Sequence, residues 1–286
     1  MFSPSAGALA ALLRSPVRRL CRRLSSAPPT GELVRCDFGT PTAVVSFEGH
    51  ARRNAMGRQT VDELRTCVAA LRWQADLRCI VFRSGVPGVF CAGADLKERA
   101  NMDEEEVREF VSTIREAVDG VAQLQMPTIA LIDGPAFGGG AELAIACDFR
   151  VGTPTAKLAF PEVRLGIIPG AGGTQRLPRI VGESKAKQLI LLGTVVQANE
   201  AKQLGLLDYV GSDAEDHVRA LATTLAENAP LALRAAKTAV DHAADVDMQN
   251  GLIFEGECYD RVLYTRDRKE GLKAFLEKRK PEFTGS

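Results

Sequence analysis

The sequence predicts a mixed α/β fold, and three observations carry that expectation. From about Leu33 onward, short β-rich runs alternate with amphipathic helical patterns; glycine clusters stand where such runs hand over to helices; and beyond Ala198 the pattern is almost wholly helical. With 286 residues and 45% hydrophobic content, the chain is long enough to bury a sizeable core as one large domain or two modest ones.

Residues 43–47 (Ala-Val-Val-Ser-Phe) read as a strand. Thr60-Val61-Asp62-Glu63 then has the spacing of a capping box, which predicts a helix starting there with an apolar face at Val61, Leu64, Val68 and Leu71. Residues 79–82 form a short buried strand. Asp103 is placed to cap a second long helix, because Val107, Phe110, Val111, Ile114, Val118 and Val121 recur at three- and four-residue steps. After Pro127 an apolar strand over 128–132 runs into a glycine cluster ahead of a helix over 141–147. Helices follow over 213–227, 231–244, 252–264 and 269–278.

The amino-terminal segment has a different composition. Apolar residues 8–13 are followed by Arg14, Arg18, Arg19, Arg22 and Arg23, then Leu24-Ser25-Ser26, and no acid precedes Glu32. An arginine- and serine-rich stretch without acids is the pattern of a mitochondrial targeting peptide, here over residues 1–27, and it places the mature protein in the matrix. No stretch approaches the ~20 apolar residues of a membrane span.

Lys plus Arg and Asp plus Glu number 36 each, so no net field draws the protein toward polyanions, and without the leader the balance is acidic. The seven cysteines (21, 36, 67, 79, 91, 147 and 258) are scattered and odd in number, which suits reduced packing residues rather than a disulfide framework. His50, His217 and His242 lack metal-ligand spacing, so neither a structural zinc nor a histidine-based triad is expected.

The chemistry concentrates at Gly138-Gly139-Gly140-Ala141-Glu142. Where a strand hands over to a helix, unpaired N–H groups face outward and the dipole adds about half a positive charge. Glu142 lies in the first turn and leans back toward those donors. A tight turn that needs glycine, with Glu142 merely complementing the dipole, is the structural alternative. A second small-residue segment, Phe90-Cys91-Ala92-Gly93-Ala94-Asp95-Leu96, lets backbone approach a ligand at Ala94. Pro161 disfavours helix at Phe160, so Glu162 ends an extended segment ahead of the glycine-rich loop over 166–173. None of these clusters matches a phosphate-cradling loop, and Gly-x-Ser-x-Gly is absent, so nucleotide-dependent and serine-hydrolase readings lose support.

Taken together, Cys91-Ala92-Gly93-Ala94-Asp95-Leu96-Lys97, the run from Ile132-Asp133-Gly134 to Ala141-Glu142, and Phe160-Pro161-Glu162 with Gly173-Thr174-Gln175-Arg176-Leu177 resemble the crotonase (enoyl-CoA hydratase/isomerase) family in order and spacing. The likeness runs from about residue 33 to the end and is nearest to mitochondrial hydratase-domain members, including the AU-binding 3-methylglutaconyl-CoA hydratase. It implies a crotonase-like spiral of ββα units over 33–220, followed by an α-helical trimerisation domain over 221–286 that forms homotrimers or hexamers. It implies an oxyanion hole at the amides of Ala94 and Gly139, catalysis by Glu142 and Glu162, and coenzyme A contacts near Asn54, Ala55, Ala94, Asp95, Leu96, Lys97, Gly139 and Lys273, with coenzyme A as part of the substrate and no separate cofactor. Both hydratase positions are acidic here, which favours water addition to a 2-enoyl-CoA in fatty-acid or branched-chain amino-acid breakdown. Isomerisation or decarboxylation on the same fold is the alternative, and AU-rich RNA binding is an alternative of another class. Residues 58–78 hold arginines but no lysine, together with Asp62, Glu63 and Asp76, which puts RNA binding in doubt.

Overall fold

A computed structural model describes residues 31–39 and 41–286, so the leader expected over residues 1–27 lies outside the described residues. Strands β1 (Val34–Phe38) and β2 (Thr42–Phe47) pair antiparallel, with Cys36 opposite Val45. Four parallel pairings extend the sheet, through β3 (Cys79–Ser84), β4 (Thr128–Ile132), a fifth strand at Phe149–Gly152 and a sixth at Tyr209–Val210. A smaller sheet holds Pro135–Phe137, Lys157–Ala159 and Val196–Gln197.

The chain order explains the architecture. After β4 it lays Pro135–Phe137 into the small sheet and enters the helix Gly139–Ala146; after Phe149–Gly152 it lays Lys157–Ala159 beside the previous small strand. Isolated bridges between Met56 and Ala94 and between Cys91 and Ala136 continue the second layer upstream. Each pass thus adds a rung to two layers, a spiral of strand, strand and helix.

The parallel strands are buried on both faces, and side-chain alternation assigns each residue to one of two cores. Ile80, Phe82, Ala130 and Ile132 join the main core with Leu64, Val68, Phe110 and Val118 from helices Arg58–Leu71 and Glu104–Ala122. Cys79, Val81, Ile129 and Leu131 face the other way, onto Ala214, Val218, Ala222 and Leu225 of helix Ala214–Ala226. A domain cut between residues 220 and 221 passes through this helix, whose last apolar residues belong with the sheet. The six cysteines among the described residues are free and buried.

The two capping expectations had different outcomes. Asp103 and Glu106 form a reciprocal box at the start of Glu104–Ala122, with bonds of 2.9 and 3.0 Å. The box expected at Thr60 and Glu63 does not form: the helix begins at Arg58 after Gly57, and Thr60 Oγ1 donates to the Ala55 carbonyl at 3.2 Å. Glu63 Oε2 instead accepts from the amides of Leu33 and Val34, each at 2.8 Å. The start of β1 has backbone donors with no strand to pair with, and they claim this carboxylate.

Helices Pro230–His242, Met248–Leu263 and Arg266–Glu277 close the chain. Lys237 docks the first of them through a 2.7 Å ion pair with Asp148. Their surfaces keep Met248, Tyr264, Phe275 and Leu276 at least 78% exposed. None of the described helices is long and apolar enough to cross a membrane.

Candidate active site

A cavity of about 590 Å³ opens where the two small-residue segments, the start of Gly139–Ala146 and the loop after Glu162 converge. Ala94, Leu96, Gly139, Glu142 and Glu162 all line it. The sequence separates these residues by up to 68 positions, and the two-layer spiral brings them together.

Close backbone packing sets the donors. Gly93 has φ +93°, and a Cβ there would lie 2.7 Å from the Phe137 carbonyl oxygen and 3.6 Å from the Gly139 nitrogen. A Cβ at Gly140 would meet the Cys91 carbonyl oxygen at 2.4 Å. Only glycine lets the 91–97 segment and the helix start approach so closely. A Cβ at Gly139 would lie 3.9 Å from the Ala94 nitrogen, so the two backbone segments lie side by side at the cavity. Neither amide has an acceptor among the hydrogen bonds of the described residues. A free N–H at the start of helix Gly139–Ala146 and a second on the neighbouring 91–97 segment favour an oxygen that gains negative charge.

Ala94 is hung from the segment over 53–56. Ala92 N–H donates to the Arg53 carbonyl at 3.2 Å, Met56 N–H to Gly93 at 2.8 Å, and Asp95 N–H to Met56 at 3.1 Å. Asn54, with φ +57°, accepts from Gly49 N–H at 2.8 Å and donates to Ser84 Oγ at 2.7 Å and the Phe90 carbonyl at 3.0 Å. Its side chain is therefore spent inside the protein.

Glu142 is buried, and its Oε1 accepts from the amides of Ala171 at 2.8 Å and Gly173 at 2.7 Å. Burial raises its pKa, opposed by those two amides and by Arg176 and Arg115. The glycine-rich loop over 166–173, read in the sequence only as a failed phosphate loop, thus holds the catalytic candidate. Arginines in turn hold that loop: Arg115 Nε donates to the Gly170 carbonyl at 2.8 Å, and Arg176 bonds the Ala171 carbonyl at 3.1 Å and Asp119 at 2.7 Å.

Glu162 opens a short 3₁₀ helix, Glu162–Leu165. It is 8% exposed, and its Oε2 has no hydrogen-bond partner among the described residues. Burial, with the like charge of Glu142 added, pushes its pKa up to about 7. One cavity therefore holds a carboxylate gripped by two amides and a second carboxyl poised between its charged and neutral forms, an arrangement suited to moving protons.

The remaining expected contacts divide. Ala55, Asp95 and Lys97 line an adjoining hollow of about 910 Å³, together with Arg52 and Arg58. Asp95 caps the short helix Leu96–Arg99 through the amides of Lys97 and Glu98, each at 3.1 Å, and pairs with Arg52. Lys273 lies outside both hollows, on helix Arg266–Glu277, 3.9 Å from Glu277. The arginines of residues 58–78 have partners within the chain: Arg58 with Glu106, Arg65 with Glu116, Arg72 with Gln123, and Arg78 with the Phe283 carbonyl.

A model of the family described as enoyl-CoA hydratase/isomerase matches residues 39–286. The human mitochondrial enoyl-CoA hydratase domain-containing protein 2 is 47% identical over 239 residues, which cover 82% of each chain. Mouse mitochondrial methylglutaconyl-CoA hydratase is also 47% identical over 239 residues, covering 82% of this chain and 76% of that protein. Among solved structures, enoyl-CoA hydratase from Bacillus anthracis superposes with a TM-score of 0.86 at 42% identity, covering 89% of this chain and 100% of its own.

Proposed function

We propose that this chain, which belongs to the enoyl-CoA hydratase/isomerase family, adds water across the double bond of a 2-enoyl-CoA thioester. The observation that carries the reading is the convergence of Glu142 and Glu162 on one cavity beside two amides that lack an acceptor. An enzyme that only shifts a double bond needs one group to move one proton. Hydration needs a group to take a proton from water and another to deliver one to carbon.

In this reading the thioester carbonyl oxygen lies between the amides of Ala94 and Gly139. Glu142, ionised and made more basic by burial, takes a proton from water as the water oxygen bonds the β-carbon. The displaced π electrons reach the thioester oxygen as an enolate, which the two amides stabilise by roughly 3–4 kcal/mol each. Glu162, neutral in part at neutral pH, gives its proton to the α-carbon as the enolate collapses. A proton passed from Glu142 to Glu162 restores the starting state.

The adjoining hollow, lined by Arg52, Arg58 and Lys97 beside Glu48, Asp95 and Glu98, is the place this reading gives the coenzyme A moiety, with Ala55 in its lining and Asn54 behind it. Exposed apolar side chains on the last helices support a homotrimer or hexamer, in which Lys273 reaches the coenzyme A of a neighbouring subunit. The arginine-rich leader and the mitochondrial relatives support a matrix location. The internal pairing of the arginines over 58–78 gives RNA binding no support.

Product analysis on crotonyl-CoA, a 3-enoyl-CoA and methylmalonyl-CoA tests the reaction type. Hydration of the first is expected, and Glu162→Gln should lower its turnover by ~10²–10⁴. Hydration by the variant at the parent rate refutes the assignment, and exclusive isomerisation or decarboxylation refutes the reaction.

A further inference from the structure

Both peptide groups that grip Glu142 are themselves gripped from behind. The Ala171 N–H that donates to Glu142 Oε1 shares a peptide plane with the Gly170 carbonyl, which accepts from Arg115 Nε at 2.8 Å. The Gly173 N–H shares one with the Gly172 carbonyl, which accepts from the amides of Gln175 and Arg176 at 3.0 and 2.8 Å. The Ala171 carbonyl between them accepts from Arg176 Nη1 at 3.1 Å. Three consecutive carbonyls are thus tied down while two N–H groups aim at one carboxylate oxygen.

One face of helix Glu104–Ala122 forms the seat of this loop. Val111, Arg115 and Asp119 stand four residues apart and share that face. A Cβ on Gly170 would meet Val111 Cγ1 at 2.8 Å, Arg115 takes the Gly170 carbonyl, and Asp119 takes Arg176 Nη2 at 2.7 Å. The charged groups around Glu142 are Arg115 from this helix, Arg176 from helix Gly173–Val181 and Glu162 from the 3₁₀ helix, with Arg99 on the cavity wall from Leu96–Arg99. Arg115 polarises the very peptide whose N–H reaches Glu142, which strengthens that hydrogen bond to the ionised carboxylate. Asp119 works in the other direction, because it offsets the Arg176 charge that also favours the ionised form.

We infer that Arg115 and Asp119 are positioning residues for Glu142, which act through the 170–173 loop and set, with opposite signs, how readily that carboxylate accepts a proton. The inference rests on the proposed hydratase reading, which makes Glu142 the base. As the base it must be ionised, so kcat/KM falls as the pH drops through its titration. Loss of the Arg115 cation moves that acid limb to higher pH, and loss of the Asp119 charge moves it to lower pH.

The test measures the pH dependence of kcat/KM for crotonyl-CoA in the parent, Arg115→Gln, Arg115→Lys and Asp119→Asn. Glutamine and asparagine keep hydrogen-bonding groups and remove only charge. The acid limb of Arg115→Gln should rise by about half a unit, less than the roughly 1–3 units of a direct partner because the guanidinium is exposed. That of Asp119→Asn should fall, and Arg115→Lys should stay near the parent. The alkaline bend near pH 7, which belongs to Glu162, should hold in all of them. Arg108→Gln removes a cation from the same helix outside the cavity and should move neither limb. A merely structural role would lower the plateau rate and leave the acid limb in place. An unmoved limb in Arg115→Gln, equal shifts in Arg115→Gln and Arg115→Lys, or shifts of one sign in Arg115→Gln and Asp119→Asn overturn the inference. Infrared titration of the carboxyl stretch that disappears in Glu142→Gln follows the same proton without turnover. If the parent does not hydrate crotonyl-CoA, the hydratase reading fails and this titration decides the inference alone: opposite shifts in the two variants uphold it, and no shift sinks it.

Discussion

The pKa of Glu162 makes the division of labour between the two carboxyls measurable. Its burial beside Glu142 raises the value to about 7, so the neutral form holds the proton below that pH and loses it above. As the donor to carbon, it is about nine-tenths competent at pH 6 and about one-tenth competent at pH 8. The kcat/KM for crotonyl-CoA hydration should therefore bend near pH 7 and fall about tenfold per unit on the alkaline side. Loss of the ultraviolet absorbance of the conjugated thioester follows the rate from pH 5.5 to 9. The two carboxyls interact, so the bend belongs to the pair; in Glu162→Gln it should vanish along with most of the activity. The same shift has a consequence for stability. A folded-state pKa above the unfolded one gives a contribution fully present below the ordinary carboxyl value of 4.5 and lost as the pH rises through about 7. Activity that rises with pH through 7 would mean that Glu162 works ionised, and a flat profile would mean that its protonation does not matter; either result refutes the donor role.

Three further perturbations follow from particular contacts. Gly173→Ala places a Cβ 3.0 Å from Glu142 Oε1 and 2.9 Å from the Pro169 Cβ, which disturbs a charge-assisted hydrogen bond worth about 1.5–3 kcal/mol; kcat/KM should fall about 10- to 150-fold while far-ultraviolet circular dichroism stays unchanged. Asp103→Ala removes a cap and should cost about 1 kcal/mol in denaturant unfolding, whereas Thr60→Ala leaves the helix cap intact because Thr60 makes no box. Phe275→Asp charges an 81% exposed apolar position on the last helix, and light scattering should report a smaller assembly than the parent if that face joins subunits.

Much of the fold can be read in the sequence because the relevant signals are local. The helix over Glu104–Ala122 follows from apolar periodicity, and its cap from Asp103 and Glu106. The parallel strands read as continuous apolar runs because they are covered on both sides. Thr60 and Glu63 show where local reading fails: the spacing is right, but the unpaired amides of Leu33 and Val34 compete for the carboxylate and win. Crotonase-type architecture and its family follow from the ordered glycine and glutamate motifs, and the comparisons bear both out. The burial of Glu162 was hidden because it depends on packing between segments remote in sequence.

The suspension of the 91–97 segment from residues 53–56 bears on how amino-acid changes in this protein are interpreted. Asn54 is remote from the chemistry in sequence, yet it joins Gly49, Ser84 and Phe90 and so fixes the height of the loop that carries Ala94. A saturation survey scored by thermal melting would register changes at buried Asn54 and Met56 as lost hydrogen bonds and packing. Scored by turnover, the same changes would resemble damage to the reaction centre, because a fraction of an ångström there tilts a main-chain donor. Inherited or laboratory variants in this stretch are therefore best classified by catalytic assay together with abundance.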